Sequence, residues 1–552
     1  MRPVTAPLHR PFCSATGDGD TAHIVDVTAL PRPATTRPSP RRRDPFPYLV
    51  AAAALLVTGL YFARLGTDPP GVYDDEASIG YNAWTVAHFG VDQYGNHFPL
   101  FFADFGDYKG PVATYLTVPF AWFFGNSIVA LRTPGVLAGL GIAVVTGLVA
   151  LRLTRSRWIA ISAALLTAVQ PWVFLQSHTV LEGNVFLMLC VMVACWCVAE
   201  AAARERSDAW WTAAGTALGV AVFTYTIGRV LSALLAAAAL VAFRRCGRSS
   251  MLRFLFPVAA AYVVLAAAAV SDPHALLARF QAAGLMADHP SLLAAAGRFI
   301  GNYASYFSPG FLVVSGDGNY RQTTGFGGVL LAVTLPLMIA GAVRLFTRRH
   351  EPYAAFALLG IVLAPVPAAL TIGAPHALRG AGLFPFLVVC MIEGLDWART
   401  LLASRRRLAA VLVLGAALTA TPFFVDYFTA YPARASVAFQ AGEGHGLAVA
   451  YARASQGSHR LFLSASLNQP AMQLMYAVLA PPPQDSFVAK AHITVVTTRP
   501  QLDAAGPGDV IVLAPHDGPP PGAQLLFTVR QGAIAWAPTR FSNADVIHVY
   551  VE

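Results

Sequence analysis

Apolar runs of about the length a bilayer demands punctuate this chain, and no other feature limits its fold as strongly. A spanning helix needs about 20 mostly apolar residues, because lipid offers no water to satisfy exposed backbone groups. Such runs occupy 47–66, 128–151, 158–177, 184–203, 209–226, 229–243, 252–271, 326–344, 353–371, 378–397 and 408–425. A shorter run occupies 112–124. Arginine clusters fall between them, at Arg41–Arg43, Arg152/Arg155/Arg157, Arg204/Arg206, Arg244/Arg245/Arg248, Arg344/Arg348/Arg349 and Arg405–Arg407. If 112–124 does not cross, eleven spans result and every cluster lies on the cytoplasmic side, as the positive-inside tendency requires. Segment 112–124 is therefore expected to be a re-entrant or interfacial helix. The N-terminus is then inside and the C-terminus outside.

Composition agrees. Charged residues make up 12% of the 552, against about 25% in soluble chains. The net charge of +9 resides in the arginine clusters between apolar runs, so it does not indicate a nucleic-acid partner. Lysine is confined to Lys109 and Lys490. The six cysteines (Cys13, Cys190, Cys195, Cys197, Cys246 and Cys390) avoid the long polar loops and the tail after 425. No disulfide framework or zinc spacing is readable from them, and Cys195 and Cys197 are expected in core packing. Residues 1–44, rich in Pro, Thr and Arg, are expected to form a disordered cytoplasmic tail, with the first apolar run an uncleaved anchor.

The fold class expected is a polytopic α-helical membrane domain over 45–425, with a small extracytoplasmic α/β domain over 426–552. In that tail, β-rich runs (Arg460–Ser464, Ile493–Thr498, Val510–Ala514, Gln524–Val529 and Val546–Val551) alternate with a helical stretch near 469–479. This topology sends the polar segments 67–127, 178–183, 272–325 and 372–377 to the outer side, together with the tail.

Those segments carry the chemistry-bearing residues. The first holds Tyr73-Asp74-Asp75-Glu76 and continues through Tyr81. Asp74 or Asp75 could cap a helix from Glu76 to about Phe89, and a capped carboxylate is also a fixed one, fit for a general base or a cation site. Further on, Asp104-Phe105-Gly106-Asp107-Tyr108-Lys109 precedes the short apolar run. Lys109 is placed either to snorkel or to bind phosphate. Glu182 sits in a very short outer loop at the mouth of two helices, where an ionisable residue is a functional candidate. Arg229 lies at the next outer turn and needs an anionic partner, with a plain salt bridge to Glu182 an alternative to phosphate binding. In 272–325, Asp317-Gly318-Asn319-Tyr320-Arg321 lacks the closing Glu of a calcium loop. His376 and Arg379, three apart, would share a helix face at the mouth of an apolar groove, which suits a lipid phosphate.

Taken together, the early Asp75-Glu76 pair, the Gly90…Pro99 and Tyr108-Lys109-Gly110-Pro111 segments, Glu182 and His376-Ala377-Leu378-Arg379 resemble the polyprenyl-phosphate-dependent glycosyltransferases of the GT-C fold. The likeness runs over about 45–400 and is greatest to protein O-mannosyltransferases and lipid A aminoarabinose transferases. The resemblance implies inverting transfer of a sugar from undecaprenyl, decaprenyl or dolichyl phosphate to a glycan, lipid or protein acceptor, among membrane lipids. It implies catalytic roles for Asp75, Glu76 and Glu182, with Asp75 the general base. Lys109, Arg229, Arg321, His376 and Arg379 would bind the donor phosphate, and Tyr81, Tyr108 and Tyr320 the substrates. His178 departs from the pattern, which has an Arg before the second-loop acid.

The chemistry fits these residue types. An acceptor hydroxyl attacks the anomeric carbon as lipid phosphate leaves, a carboxylate takes the hydroxyl proton, and fixed cations stabilise the leaving phosphate. No cofactor is required. A divalent cation, Mg or Mn, bridging Asp75 or Glu182 to phosphate is an open alternative. No Walker loop or Rossmann fingerprint occurs. A transporter or flippase would carry its charges near mid-membrane, on broken helices in repeats. A polysaccharide polymerase would favour Arg-rich outer loops, and a scaffold leaves the outer acids unexplained.

Overall fold

The computed structural model describes residues 46–204, 207–271, 273, 281–402, 404–530 and 545–552. The polar segment 1–44 lies outside the described residues, as does part of 272–325. By internal contacts the chain divides into Met1–Leu49 and Val50–Glu552, and the second unit contains everything that follows.

Every apolar run contains helix, as its composition requires, although the run 326–344 is helical only from Ala332. In order come α1 (Phe46–Phe62), α2 (Asp74–Phe89), α3 (Pro111–Phe124), α4 (Ile128–Thr154), α5 (Arg157–Ala168), α6 (Pro171–Ser177), α7 (Asn184–Ala202), α8 (Asp208–Ala221), α9 (Thr226–Ala242) and α10 (Arg248–Ser271). Later membrane helices include Leu335–Thr347, Pro352–Leu363, Phe384–Leu401 and Arg405–Thr429. Among the described residues, six helices are long and apolar enough to cross a bilayer unaided, and α5 with α6, bent by 58° at the break before Pro171, makes a seventh if the pair is one span. The remaining runs give shorter helices because their apolar residues continue into turns. The run 209–226, for example, leaves the helix after Ala221 and turns before α9.

Burial sorts these helices. The span Arg379–Leu401 is 89% buried and Asn184–Ala202 72%, so they form the centre. Arg248–Ser271 (22%) and Arg407–Thr429 (17%) lie outermost and expose Val263, Val270, Val413, Leu414 and Leu418. Faces so apolar are soluble only in lipid. The 14-residue α3 is too short to span, packs in part against α2, and ends in the exposed Trp122, Phe123 and Phe124, side chains typical of the membrane interface.

At one end of the helices, arginines from the basic clusters meet acids: Arg152–Glu200 (3.4 Å), Arg344–Asp396 (2.8 Å) and Arg348–Glu393 (3.1 Å). At the other end, segments expected on one face are knitted together. Tyr427 donates to the Asp68 carbonyl (2.8 Å), Tyr431 to that of Tyr320 (2.6 Å), and Gln322 lies 3.1 Å from His376.

Beyond residue 429 a five-stranded sheet forms, in the order Ile493–Val496, Leu461–Ser464, Val510–Leu513, Asp545–Val551 and Gln524–Arg530. Strands β3 (Leu461–Ser464), β4 (Ile493–Val496) and β5 (Val510–Leu513) run parallel, and β6 (Gln524–Arg530) and β7 (Asp545–Val551) form an antiparallel edge pair. The helix Pro470–Val478 joins this region to the loops above the membrane. Tyr81 donates to the Ala480 carbonyl (2.9 Å), Tyr476 to that of Asn126 (2.7 Å), and the Gln484 amide to that of Gln93 (2.7 Å).

Candidate active site

The three acids of the first loop are separated by helix geometry. The cap of α2 is Tyr73, one residue earlier than the sequence suggests, so Asp74, Asp75 and Glu76 all fall in the first turn. Successive helical side chains point about 100° apart, and each acid therefore meets a different neighbour. Asp74 accepts from Gln473 Nε2 (3.1 Å), which also donates to the Val72 carbonyl (2.8 Å) and Gln440 Oε1 (3.2 Å). Burial, partly offset by hydrogen bonds from Gln473 and Gln440, pushes the Asp74 carboxyl up to about 7. Glu76 is fully buried and takes both Nε and Nη2 of Arg132 at 2.9 Å. Arg132 spends its other donors on the carbonyls of Leu65, Pro69 and Gly71. A fully engaged bidentate pair fixes the entry to α2.

Asp75 points at Lys109. A short hairpin presents that lysine: β1 (Phe102–Asp104) pairs antiparallel with β2 (Asp107–Lys109), and Phe105 (φ 50°) and Gly106 (φ 77°) make the turn, positive values at both central residues as tight hairpins prefer. Lys109 Nζ pairs with Asp75 and, at 2.7 Å, with buried Asp104. Burial acts to lower the Lys109 pKa, but Asp104, Asp75 and Glu182 together outweigh it and raise it. Burial, against the pull of Lys109, brings Asp104 up to about 6. One ammonium thus pairs with two carboxylates, from α2 and the hairpin, and feels the charge of a third, Glu182 of the second loop.

Two glycines let these loops approach. A Cβ on Gly110 would meet the Phe223 carbonyl oxygen at 2.3 Å, and one on Gly183 the Thr224 carbonyl oxygen at 2.5 Å. Both loops therefore press on the Phe223–Thr224 turn, which brings Lys109 and Glu182 together. Beside the hairpin opens a cavity of about 690 Å³ lined by Tyr94, Asp104, Asp107, Tyr108 and Gln281, among others.

The other expected residues are distributed around this cluster. Arg321 lies over the Tyr73 ring, 4.1 Å from its centroid, next to the start of α2. Arg229 lies 5.3 Å from the Phe101 centroid and feels the negative charge of Asp107. His376 meets Gln322, and Arg379 donates to Thr371 Oγ1 (3.0 Å) and the Ile372 carbonyl (2.6 Å). Asp317 ties those two loops through the Ala377 amide (2.8 Å). Tyr320 is part-exposed, whereas Tyr81 is wholly buried and bonds the C-terminal region. His178 is a core residue, 4.1 Å from Phe174 by ring centroids and within reach of Tyr61 and Tyr427.

Sequence reasoning overlooked Arg132 and Gln473 and left Asp104 without a role. Arg132 carried a signal, because an arginine inside an apolar run is costly without a partner. Gln473 carried none. Among the described residues, no group of three or more His, Cys, Asp or Glu side chains is placed to hold a metal ion.

Residues 108–276 match the family model of dolichyl-phosphate-mannose-protein mannosyltransferases. No curated protein sequence matches the chain significantly. Its structure is similar to that of ArnT from Cupriavidus metallidurans in the apo state, with a TM-score of 0.55 and 14% identity over 92% of this chain and 97% of that one. The same enzyme bound to undecaprenyl phosphate gives 0.52 and 15% over the same shares. The matched segment, under a third of the chain, holds Lys109, Glu182 and Arg229, the shared fold extends over nearly the whole length, and the chain has the polytopic membrane GT-C fold.

Proposed function

We propose that the chain transfers a monosaccharide from a polyprenyl-phosphate donor to an acceptor hydroxyl, at the outer face of the cytoplasmic membrane. The N-terminus is cytoplasmic and 426–552 form an extracytoplasmic domain above the catalytic helices. The observation that carries this reading is the cluster of Asp75, Lys109, Asp104 and Glu182, built from separate loops at the end of the helices away from the arginine–acid pairs. The undecaprenyl phosphate bound to ArnT supports the donor class, and the shared fold disfavours a transporter or flippase.

In this mechanism the acceptor hydroxyl attacks the anomeric carbon from the face opposite the phosphate, and inversion follows. Asp75 accepts the hydroxyl proton late in the step. Lys109 orients Asp75 through their ion pair and presents positive charge to the leaving phosphate, with Arg321 beside Tyr73 as a second cation. Arg229, His376 and Arg379 extend positive charge along the donor's path, and Glu182 shares in holding Lys109. Glu76 braces the helix start through Arg132. Tyr108, which lines the cavity, and Tyr320 contact substrates. Lys109 already balances the Asp75 and Asp104 carboxylates that could hold a Mg or Mn ion, which favours a reaction independent of divalent metal.

The test is incubation of purified protein with a panel of polyprenyl-phosphate sugars and measurement of released polyprenyl phosphate, with and without EDTA. Turnover of at least one donor, unchanged by EDTA, is expected. No turnover of any donor would remove the reading, and loss under EDTA would restore the metal.

A further inference from the structure

The sheet beyond residue 429 has a pocket of its own, distinct from the cluster above α2. Its volume is about 270 Å³, near the lower end of small-molecule sites, about 300–1,000 Å³. It lies at the carboxyl ends of the three parallel strands. Ser464 ends β3 and Ser466 follows it, Thr497 and Thr498 follow β4, and His516 and Asp517 follow β5. The chain leaves β3 for β4 on one side and then returns past β3 to β5 on the other. Neighbouring connections that diverge in this way leave a crevice at the strand ends, where open parallel sheets bind ligands.

Its hydrogen-bonding state selects the ligand. Ser464 donates to Asp517 Oδ2 (2.6 Å), Ser466 to Asp517 Oδ1 (3.0 Å), and Thr497 to Gln501 Oε1 (3.0 Å). Each of these hydroxyls has committed its hydrogen to the protein, so lone pairs are what it retains for a ligand. Thr498, at the start of the short helix Arg499–Leu502, bonds Gln501 through its backbone amide (3.1 Å), and its hydroxyl adds a group able to donate. His516 stands at the rim with its side chain 73% exposed. Arg499 spans the wall, donating to Asp503 Oδ1 (3.0 Å) and to the carbonyls of Gly518 (2.6 Å) and Pro519 (2.8 Å). Its charge is thereby matched within the protein. Val496, Leu502 and Leu513 make an apolar floor.

An acceptor-rich pocket with a carboxylate at its centre repels phosphates, and the turn Ser464-Ala465-Ser466-Leu467-Asn468 lacks the glycines that let a backbone approach a pyrophosphate. It suits a neutral group with many hydroxyls, each able to donate and accept, and with a C–H face to lay on the floor. We infer that this pocket binds a neutral saccharide, and that in the reaction proposed above it holds sugar units of a glycan acceptor away from the bond being made. The assignment to an acceptor rests on that proposal; the binding itself does not.

The test uses the full chain in lipid nanodiscs without donor, probed by saturation-transfer difference NMR. The probes are mannobiose, maltose and arabinobiose, with AMP as the anionic comparison. At least one disaccharide should bind and AMP should not. Asp517→Asn removes the charge from the acceptor at the centre and should weaken disaccharide binding about tenfold. His516→Ala and Ser466→Ala, both at the rim, should each weaken it about two- to tenfold with folding intact, and they carry the test if Asp517→Asn does not fold. Absence of disaccharide binding overturns the inference. So does binding indifferent to the rim variants, which would put the sugar elsewhere, or AMP binding that depends on them. Disaccharide binding without turnover of any polyprenyl-phosphate sugar would sink the proposed reaction and leave this site standing.

Discussion

Replacing Glu76 by Gln separates a structural carboxylate from a catalytic one. The side chains of Glu76 and Arg132 are both fully buried and meet at two contacts of 2.9 Å. Glu76 also accepts from the amides of Val180 (3.2 Å) and Tyr73 (3.4 Å). Gln keeps the shape and one acceptor oxygen but removes the charge. The Arg132 guanidinium is then left with neutral acceptors alone, the Gln oxygen and the Leu65, Pro69 and Gly71 carbonyls. Breaking a buried pair from one side costs about 3–5 kcal/mol, and the retained acceptor puts this change near 3. At about 1.4 kcal/mol per decade that is roughly a hundredfold loss in the folded ratio. The assay is the fraction of protein remaining monodisperse after graded heating in detergent, with donor turnover measured per mole of folded enzyme. Stability should fall while turnover of the folded fraction stays within a few-fold of the parent. The double variant Glu76→Leu/Arg132→Met should recover part of the stability, because an apolar replacement of both partners is often neutral. Unchanged thermal survival with turnover reduced a hundredfold or more would refute this reasoning and return Glu76 to the chemistry.

Asp75→Asn should lower turnover about 10²–10⁴-fold with donor saturation unchanged, whereas Asp74→Asn, an isostere of the protonated acid beside Gln473, should be mild; equal losses in steady-state kinetics would argue against Asp75 as the base. Burial raises Asp74 to about 7 and Glu443 to about 8 from ordinary values of 3.8 and 4.5. The folded chain therefore holds more protons than the unfolded one between those limits, and stability is full at about pH 4 and declines as pH rises through 7 and 8. Thermal survival measured from pH 5 to 9 should show this decline, and Asp74→Asn/Glu443→Gln should flatten it. Gly183→Ala, at φ 82° and with its Cβ 2.5 Å from the Thr224 oxygen, should cost about 1–3 kcal/mol and cut turnover by moving Glu182 from Lys109; wild-type turnover would show that the loop contact is dispensable.

The five strands beyond residue 429 and the helix Pro470–Val478 follow the sequence pattern to within a residue or two, whereas the helix Glu443–Gln456 was not expected. Residues 461–464, 493–496, 510–513, 524–530 and 545–551 form strands, and 470–478 are helical. Alternation, β-branched content and Pro-rich turns are local signals. The expected cap at Asp74 or Asp75 lay one or two residues late: the cap is Tyr73, whose own side chain makes no capping bond, and Glu76 reaches back to accept from the Tyr73 amide (3.4 Å).

The sequence by itself determined that the chain is a multi-helix membrane protein, and the resemblance of its loop residues to a known fold pointed to the chemistry. Apolar length and charge spacing along one dimension suffice for the first, since lipid forces every backbone group to be satisfied within its own segment. What each acid does was decided only in three dimensions. Asp74, Asp75 and Glu76 are adjacent and chemically alike, yet one helical turn sends them to Gln473, Lys109 and Arg132, partners 399, 34 and 56 residues away. No pattern along the chain encodes those separations. They arise where loops, pressed together at Gly110 and Gly183, happen to bring an amide, an ammonium and a guanidinium to the same helix end.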